Sequence, residues 1–506
     1  MAGTLDESIA WRPRVGLFLG PAVFLLCLLL PTPEGLTPEA QRVGAVALLM
    51  AIWWICEALP MAAIALLPIA LFPFMDVMPV GNVTSQYGHP IIFLFMGGFL
   101  IAVTMERWNL HKRIALSIIQ CVGFGPKSII LGFMIASAFL SMWVSNTATA
   151  MMMVPIGIAV IRQTRELLRA ESKETGNPVA DSSGFAISLM LGIAYACSIG
   201  GVATIIGTPP NTVLVGMIST LFGETVSFLD WMLFGVPLSI FMLLLCWYYL
   251  VAFAFPADFK QLRGGDELIR SELTGLGRMS KEERWIVIIF ASVAIAWISR
   301  SFITLPAFRN VNDTSIAILG ALLLFCIPSN LRKGEYLLDW NTAVKIPWGI
   351  IILFGGGLAL AHGFSTTGLS DWLASFLANL EGVHILILLI AVTGLTLLLT
   401  EVTSNTATAT MLMPIMASMA FALNLHPYGL MVAAAVASSF AFMLPVATPP
   451  NAVVFGSGYV TIPQMARAGL WLNVIGIFVI SLFVLYVLPF AWNLILIGFP
   501  AEFTTR

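Results

Sequence analysis

The stretch SNTATAMMMVPI at 145–156 returns as SNTATATMLMPI at 404–415, identical at 9 of 12 positions with an offset of 259. No other feature constrains the fold as much, because a chain that repeats itself folds as two related halves with matching pieces in equivalent places. The same offset aligns FLFMGGFLIA (93–102) with ILFGGGLALA (352–361). A second pair follows each copy: IGTPPNTVLVG (206–216) matches VATPPNAVVFG (446–456) at 6 of 11 positions with an offset of 240. The offset shrinks by 19 residues (259 less 240), which the polar insertion near 162–184 takes up.

Both copies lie in apolar surroundings, and here composition matters. Of the 506 residues 59% are hydrophobic and 10% charged, the signature of an all-α polytopic membrane protein. The apolar runs predict about eleven spans, near 14–31, 42–59, 61–76, 90–108, 185–222, 231–255, 285–303, 313–328, 346–362, 427–460 and 468–494. Two more stretches, 128–161 and 383–423, are too long for one crossing and too short for two with a loop, so each reads as a re-entrant hairpin. The first run has no small-residue cleavage site behind it and reads as a retained helix. The expected order is an N-terminal segment and first span (1–41), a first repeat (42–255, hairpin 124–161), a cytoplasmic linker (256–284), a second repeat (285–494, hairpin 383–423) and a tail (495–506).

With the N-terminus inside, only Arg42, Arg300, Arg309 and Arg506 of the 24 Lys and Arg fall outside, as the positive-inside rule asks. The inner basic residues gather at 107–127, 162–173 and 260–284 among acidic ones, the pattern of solvated loops and amphipathic surface helices. An odd number of spans leaves the C-terminus outside, and the hairpins then enter from opposite faces. Inverted repeats with helices interrupted at matching places point to a transport site near the midplane. The formal net charge of -2 carries no partner information, and nothing suggests nucleic acid. The six cysteines (Cys27, Cys56, Cys121, Cys197, Cys246, Cys326) stand singly in or beside apolar segments and favour neither disulfides nor metal clusters.

The duplicated motifs carry complementary chemistry. In TPPN each proline lacks a donor and turns its predecessor from the helical region, so the spans should break at Thr208 to Asn211 and at Thr448 to Asn451. Carbonyls freed there, with Ser and Thr hydroxyls and the Asn amide oxygen, make an all-oxygen environment suited to a hard cation such as sodium. Ser145, Asn146 and Thr147, like Ser404, Asn405 and Thr406, sit where each hairpin turns and are good N-cap residues for its second helix. Free N–H groups and a positive dipole end there favour a carboxylate. No Lys or Arg lies within 128–161, 185–259 or 346–466, so the charge balancing an anionic substrate should be mobile. Carrying a dianion inward against about 100 mV costs roughly 4.6 kcal/mol, at about 2.3 per charge. Two sodium ions cancel that term and a third lets the potential drive uptake.

At these residues the chain resembles the divalent anion/sodium symporter family, whose signature is a duplicated SNT on opposed hairpins with duplicated TPPN-type breaks. WWICEALP (53–60), the GG-containing helices and Glu401 before the second SNT extend the likeness over almost the whole chain. The resemblance implies a homodimer in a bacterial inner membrane, each protomer with a scaffold domain and a transport domain that moves as an elevator. It implies one sodium site from Ser141, Ser145, Asn146 and the backbone near Gly207, and another from Thr400, Thr403, Asn405 and the backbone near Ala447. It places a dicarboxylate such as succinate, malate or fumarate against Ser145, Asn146, Thr147, Ser404, Asn405 and Thr406, with Thr208, Pro209, Thr448 and Pro449 close by. Membrane lipid surrounds such a protein.

Plainer roles compete. One SNT alone is usually a helix cap and one PP a kink; duplication favours the functional reading. Glu57 and Glu401 mark function by their depth but suit a structural hydrogen bond equally. His89, His111, His362, His384 and His426 lie near span ends without metal spacing, and the methionines read as packing. A proton-coupled antiporter would need titratable groups in the motifs, an obligate exchanger would weaken a sodium site, and an intramembrane enzyme would need a nucleophile with its base or a motif such as HExxH. The motifs fit sodium-coupled uptake best, with exchange, or sodium-coupled carriage of citrate or sulfate, as alternatives.

Overall fold

The computed structural model describes residues 11–123, 125–175, 182–257, 265–303, 310–377 and 382–503. Helices run α1 (Trp11–Leu29), α2 (Pro38–Cys56), α3 (Met61–Ile64), α4 (Leu67–Phe74), α5 (Val80–Tyr87), α6 (Pro90–Arg107), α7 (Leu110–Val122), α8 (Pro126–Ser141), α9 (Asn146–Thr175), α10 (Ser183–Gly201), α11 (Pro209–Phe222) and α12 (Phe228–Tyr249, continued by a π turn to Ala254). They continue as α13 (Gly265–Gly275), α14 (Lys281–Ser299), α15 (Asp313–Cys326), α16 (Trp340–Ala343), α17 (Trp348–Thr367), α18 (Leu369–Leu377), α19 (Ile385–Thr400), α20 (Asn405–Ala422), α21 (Pro427–Ala437), α22 (Pro449–Gly456) and α23 (Ile462–Trp492). A two-stranded scrap, Pro328–Asn330 with Glu335–Tyr336, interrupts an otherwise all-α bundle.

Eight of the described helical segments are long and apolar enough to cross a membrane. Each expected hairpin is two helices with a short turn, α8–α9 and α19–α20. Two expected spans, 185–222 and 427–460, are each two helices. Their breaks fall before the TPPN motifs, at 202–208 and 438–448. The reason is positional: the prolines occupy the first helical turn, where a missing N–H costs nothing, so they open α11 and α22 instead of interrupting a helix.

The polar insertion also departs from the loop expected at 162–184. Helix α9 runs on to Thr175, because Val160, Ile161, Thr164 and Leu168 keep helical spacing and are buried. Arg165 lies over the Tyr459 ring at 5.1 Å. Residues 176–181 of the insertion, 124 of the first hairpin, 258–264 of the linker, 504–506 of the tail, and Arg309 fall outside the described residues. Basic surface helices form as charge interleaving suggests: α7 is tied to α13 by Lys112–Glu272 at 2.9 Å, and Arg113 pairs with Glu283 at 2.8 Å.

Glycine sets the closest approaches. In α17, a Cβ at Gly356 would enter the Ala65 backbone and one at Gly357 the Thr410 side chain. The GGG run therefore lets α17 lie flush against α3 on one side and α20 on the other. A small core joins Val43, Met50, Trp54, Phe72 and Phe364, and a larger one fills the rest.

Candidate functional site

The two halves interlock at the breaks. Helix α11 packs on α20 and α21, while α22 packs on α9 and α10. Each half's broken span therefore docks on the other half's hairpin, bringing the two SNT turns and the two TPPN turns toward one region. Thr208 Oγ1 and Ser439 Oγ, one from each break, stand 3.5 Å apart.

Ser145 caps α9, its Oγ accepting from Ala148 N at 3.2 Å. Ser404 stands at the N-cap of α20 without a side-chain cap bond. Asn146, Thr147, Asn405 and Thr406 fill the first turns of those helices, whose leading N–H groups have no intrahelical acceptor. Thr406 is buried, whereas Ser145, Asn146, Thr147, Ser404 and Asn405 are half-buried. Thr208 and Thr448 cap α11 and α22; Pro209 is half-buried and Pro449 exposed. Because prolines fill their first two positions, α11 and α22 lack the free N–H groups that α9 and α20 keep. Donors are thus concentrated at SNT and carbonyl acceptors at the breaks.

Beside the first SNT, Ser141 Oγ lies 2.5 Å from Asn146 Oδ1. The same oxygen faces the Gly207 carbonyl at 3.2 Å and the Cys197 carbonyl at 3.3 Å. An amide oxygen facing two carbonyls is repulsive, and turning the Asn146 amide so that its NH2 donates to Ser141 Oγ and to both carbonyls satisfies them all. What remains is an oxygen-lined turn of the kind that suits a hard cation. Gly201 and Gly207 crowd this spot, leaving no room for a Cβ at either. In the second half Thr400 Oγ1 donates to Asn405 Oδ1 at 2.7 Å and to the Ser438 carbonyl at 2.8 Å. Of the residues expected there, Thr403 turns its hydroxyl to the Leu399 carbonyl and to Thr408. Ala447 is buried, and its N–H goes to the Leu444 carbonyl.

The asparagines of TPPN tie each break to its own helix start. Asn211 Nδ2 donates to the carbonyls of Gly201 and Thr204, and Asn451 Nδ2 to those of Ala441 and Leu444. Those acceptors lie 10 and 7 residues back in both halves, so the repeat extends to individual hydrogen bonds. The amide NH2 is the part that meets the freed carbonyls, and each amide oxygen is left buried without a partner among the described residues.

Two features lie outside the duplicated motifs, and for Glu401 the structural one of the two roles expected is the one seen. Glu401, 4% exposed, accepts from the N–H groups of Phe442, Met443 and Leu444 and from Asn473 Nδ2 at 2.7 Å. The carboxylate thus holds the second break open as a structural acceptor; its counterpart in the first half is Met142, so the repeat gives no hint of it. Arg12 on α1 donates to the Val402 carbonyl at 3.1 Å, two residues before the second SNT. A fixed cation does reach the hairpin tip, which no window around the motifs could reveal from 390 positions away. The signal for Glu57 is local: it ends α2 in the left-handed conformation, its N–H bonded to the Trp53 carbonyl.

Two interlocked copies of a hairpin and a broken span, inside an all-α bundle with eight long apolar helical segments, define a polytopic membrane transporter. The chain belongs to the family described as sodium:sulfate symporter transmembrane region, whose profile matches residues 13–497. It is 48% identical to the sodium-dependent dicarboxylate transporter SdcS of Staphylococcus saprophyticus over 478 residues, 94% of this chain and 91% of that one. The protein of the same name from Staphylococcus aureus is 48% identical over the same shares. Among solved structures it resembles the Alcanivorax borkumensis YdaH transporter, at 13% identity with a TM-score of 0.58 over 88% of this chain and 98% of that one. It likewise resembles Neisseria gonorrhoeae MtrF, at 11% identity with a TM-score of 0.57 over 95% and 97%. At such identities these likenesses concern the fold alone.

Proposed function

We propose that the protein takes up C4 dicarboxylates such as succinate, malate and fumarate together with sodium ions, as a homodimer in a bacterial inner membrane. The N-terminus would be cytoplasmic and the C-terminus periplasmic. The observation that carries this is the duplicated oxygen-lined turn beside each SNT: the Ser141 hydroxyl and the Gly207 and Cys197 carbonyls around the Asn146 amide in one half, Thr400, Asn405 and Ser438 in the other. Two relatives named as sodium-dependent dicarboxylate transporters, 48% identical, support the choice of ion and substrate.

In this reading Asn146 and Asn405 each give a carboxamide oxygen to sodium and a first-turn N–H to the substrate carboxylate. The ion is bound first: it orders the turn and supplies the charge that makes a dianion tolerable there. Coupling is reciprocal, so substrate raises sodium affinity by the same factor. The halves interlock at the site, so the site travels whole, and the block of 124–255 with 383–494 slides against the rest as an elevator.

The test is uptake into proteoliposomes of labelled succinate, malate, citrate, 2-oxoglutarate and sulfate, with sodium or choline outside. Sodium-dependent succinate uptake that quickens with an inside-negative potential is expected. Equal uptake in choline would overturn the coupling. Uptake that needs internal dicarboxylate would favour an exchanger, and preference for citrate or sulfate would move the substrate assignment.

A further inference from the structure

Arg467 stands alone. It is the one Lys or Arg between Lys345 and Arg506, and it is the sixth residue of α23, a helix long and apolar enough to cross a membrane. That puts its Cα about 7.5 Å from the start of the helix, at 1.5 Å per residue. Its guanidinium has no hydrogen bond or ion pair among the described residues, whereas Arg113 and Arg300 are both paired with carboxylates. A charge on a membrane-spanning helix ordinarily has a partner.

The side chain lines a cavity of about 340 Å³ between α23 and the end of α12, together with Tyr249, Phe253, Phe255 and Trp471. The wall on the α12 side is the π turn Leu250–Ala254 and its flanks, with Phe255 N bonded to the Leu250 carbonyl. The turn is secured from behind: Ser188 Oγ donates to the carbonyls of Leu250 and Phe255. In front, Phe253 is 68% exposed and Trp471 55%, on the outer surface of helices long and apolar enough to cross a membrane. A cation within snorkelling reach of the interface, aromatic rings on a lipid-facing wall, and room for a small polar group all coincide.

We propose that this cavity binds the headgroup of an anionic phospholipid, with Arg467 gripping the phosphate and Trp471 and Phe253 lying along the acyl chains. The planar guanidinium suits a phosphate bidentately, and a basic pocket between membrane helices favours lipids with net negative charge. A zwitterionic lipid brings its own cation to the same place and loses that advantage.

The experiment is native mass spectrometry of the delipidated full-length protein titrated with phosphatidylglycerol or phosphatidylcholine. Wild type should retain one phosphatidylglycerol per chain about fivefold more tightly than phosphatidylcholine. Arg467→Gln should erase the preference, Arg467→Lys should keep part of it, and Phe253→Ala should weaken both lipids alike. Equal retention of the two lipids by wild type, or an unchanged preference in Arg467→Gln, overturns the proposal. Displacement of the lipid by millimolar inorganic phosphate would assign the cavity to a free anion and overturn the lipid reading too. Should Arg467→Gln fail to purify folded, the Lys and Phe253→Ala variants still decide.

Discussion

In the proposed site, Asn146 and Asn405 are the residues on which sodium and substrate converge. Asn146→Ala and Asn405→Ala should each abolish transport while the purified protein keeps its elution profile. Normal uptake by either would remove that asparagine from the site. Ser141→Ala and Thr400→Ala should instead raise the half-saturating sodium concentration by about tenfold, the scale on which ligand-shell changes act. Glu401→Ala strands the buried Phe442 N–H and Asn473 amide, at about 1–3 kcal/mol each, together with two half-buried N–H groups, so its melting temperature should fall sharply in any detergent. His426 belongs to the same scale. Its Nδ1 accepts from Tyr428 N at 3.3 Å, and burial pushes its pKa down from 6.5 to about 4. The unfolded chain then takes the proton first as pH falls. Stability present above pH about 6.5 should decline toward pH about 4, and His426→Asn should flatten that stretch of a pH-dependent melting series. At this scale the SNT and TPPN residues were legible because duplication marked them. Arg12 and Asn473 were not, because each acts through a contact that has no echo in the other half, and Glu401 was left between a functional and a structural role for the same reason.

Among elements, the hairpins were readable from length alone, since apolar stretches of 34 and 41 residues (128–161 and 383–423) fit neither one crossing nor two. The breaks were placed some residues late, because sequence shows where proline sits but not whether it ends one helix or begins the next. The continuation of α9 through the insertion was hidden by its charged face, although its buried face kept helical spacing. The seam between α17 and the α11–α20 pair carries the element-scale prediction. At Gly357 a new Cβ would meet Thr410, so Gly357→Val should wedge the seam. Transport should fall while sodium-dependent succinate binding, measured by calorimetry, persists; loss of binding would place the glycine in the site instead. Arg12→Ala frees the Val402 carbonyl, and accessibility labelling of the second hairpin tip should change in sodium-free protein. Identical labelling would show that the guanidinium holds nothing.

For the whole molecule the test of motion is a crosslink across the same seam. Phe354 and Thr410 line one small void, so a cysteine at each, joined by a short thiol crosslinker in a cysteine-free background, ties α17 to α20. Uptake should stop while binding from the open side remains; a crosslinked protein that still cycles would favour local gates over an elevator. The interlocking of the halves has a consequence for how the protein is made. Helix α22, which closes over the first hairpin, comes near the end of the chain, and α1 is tied by Arg12 to a carbonyl 390 residues downstream. During synthesis the first hairpin must therefore wait in the membrane, its polar turn uncovered, until almost the entire polypeptide has emerged. A nascent chain stalled at residue 440 should hold the first SNT accessible to water-soluble reagents, and release of the last segment should bury it within a single folding step.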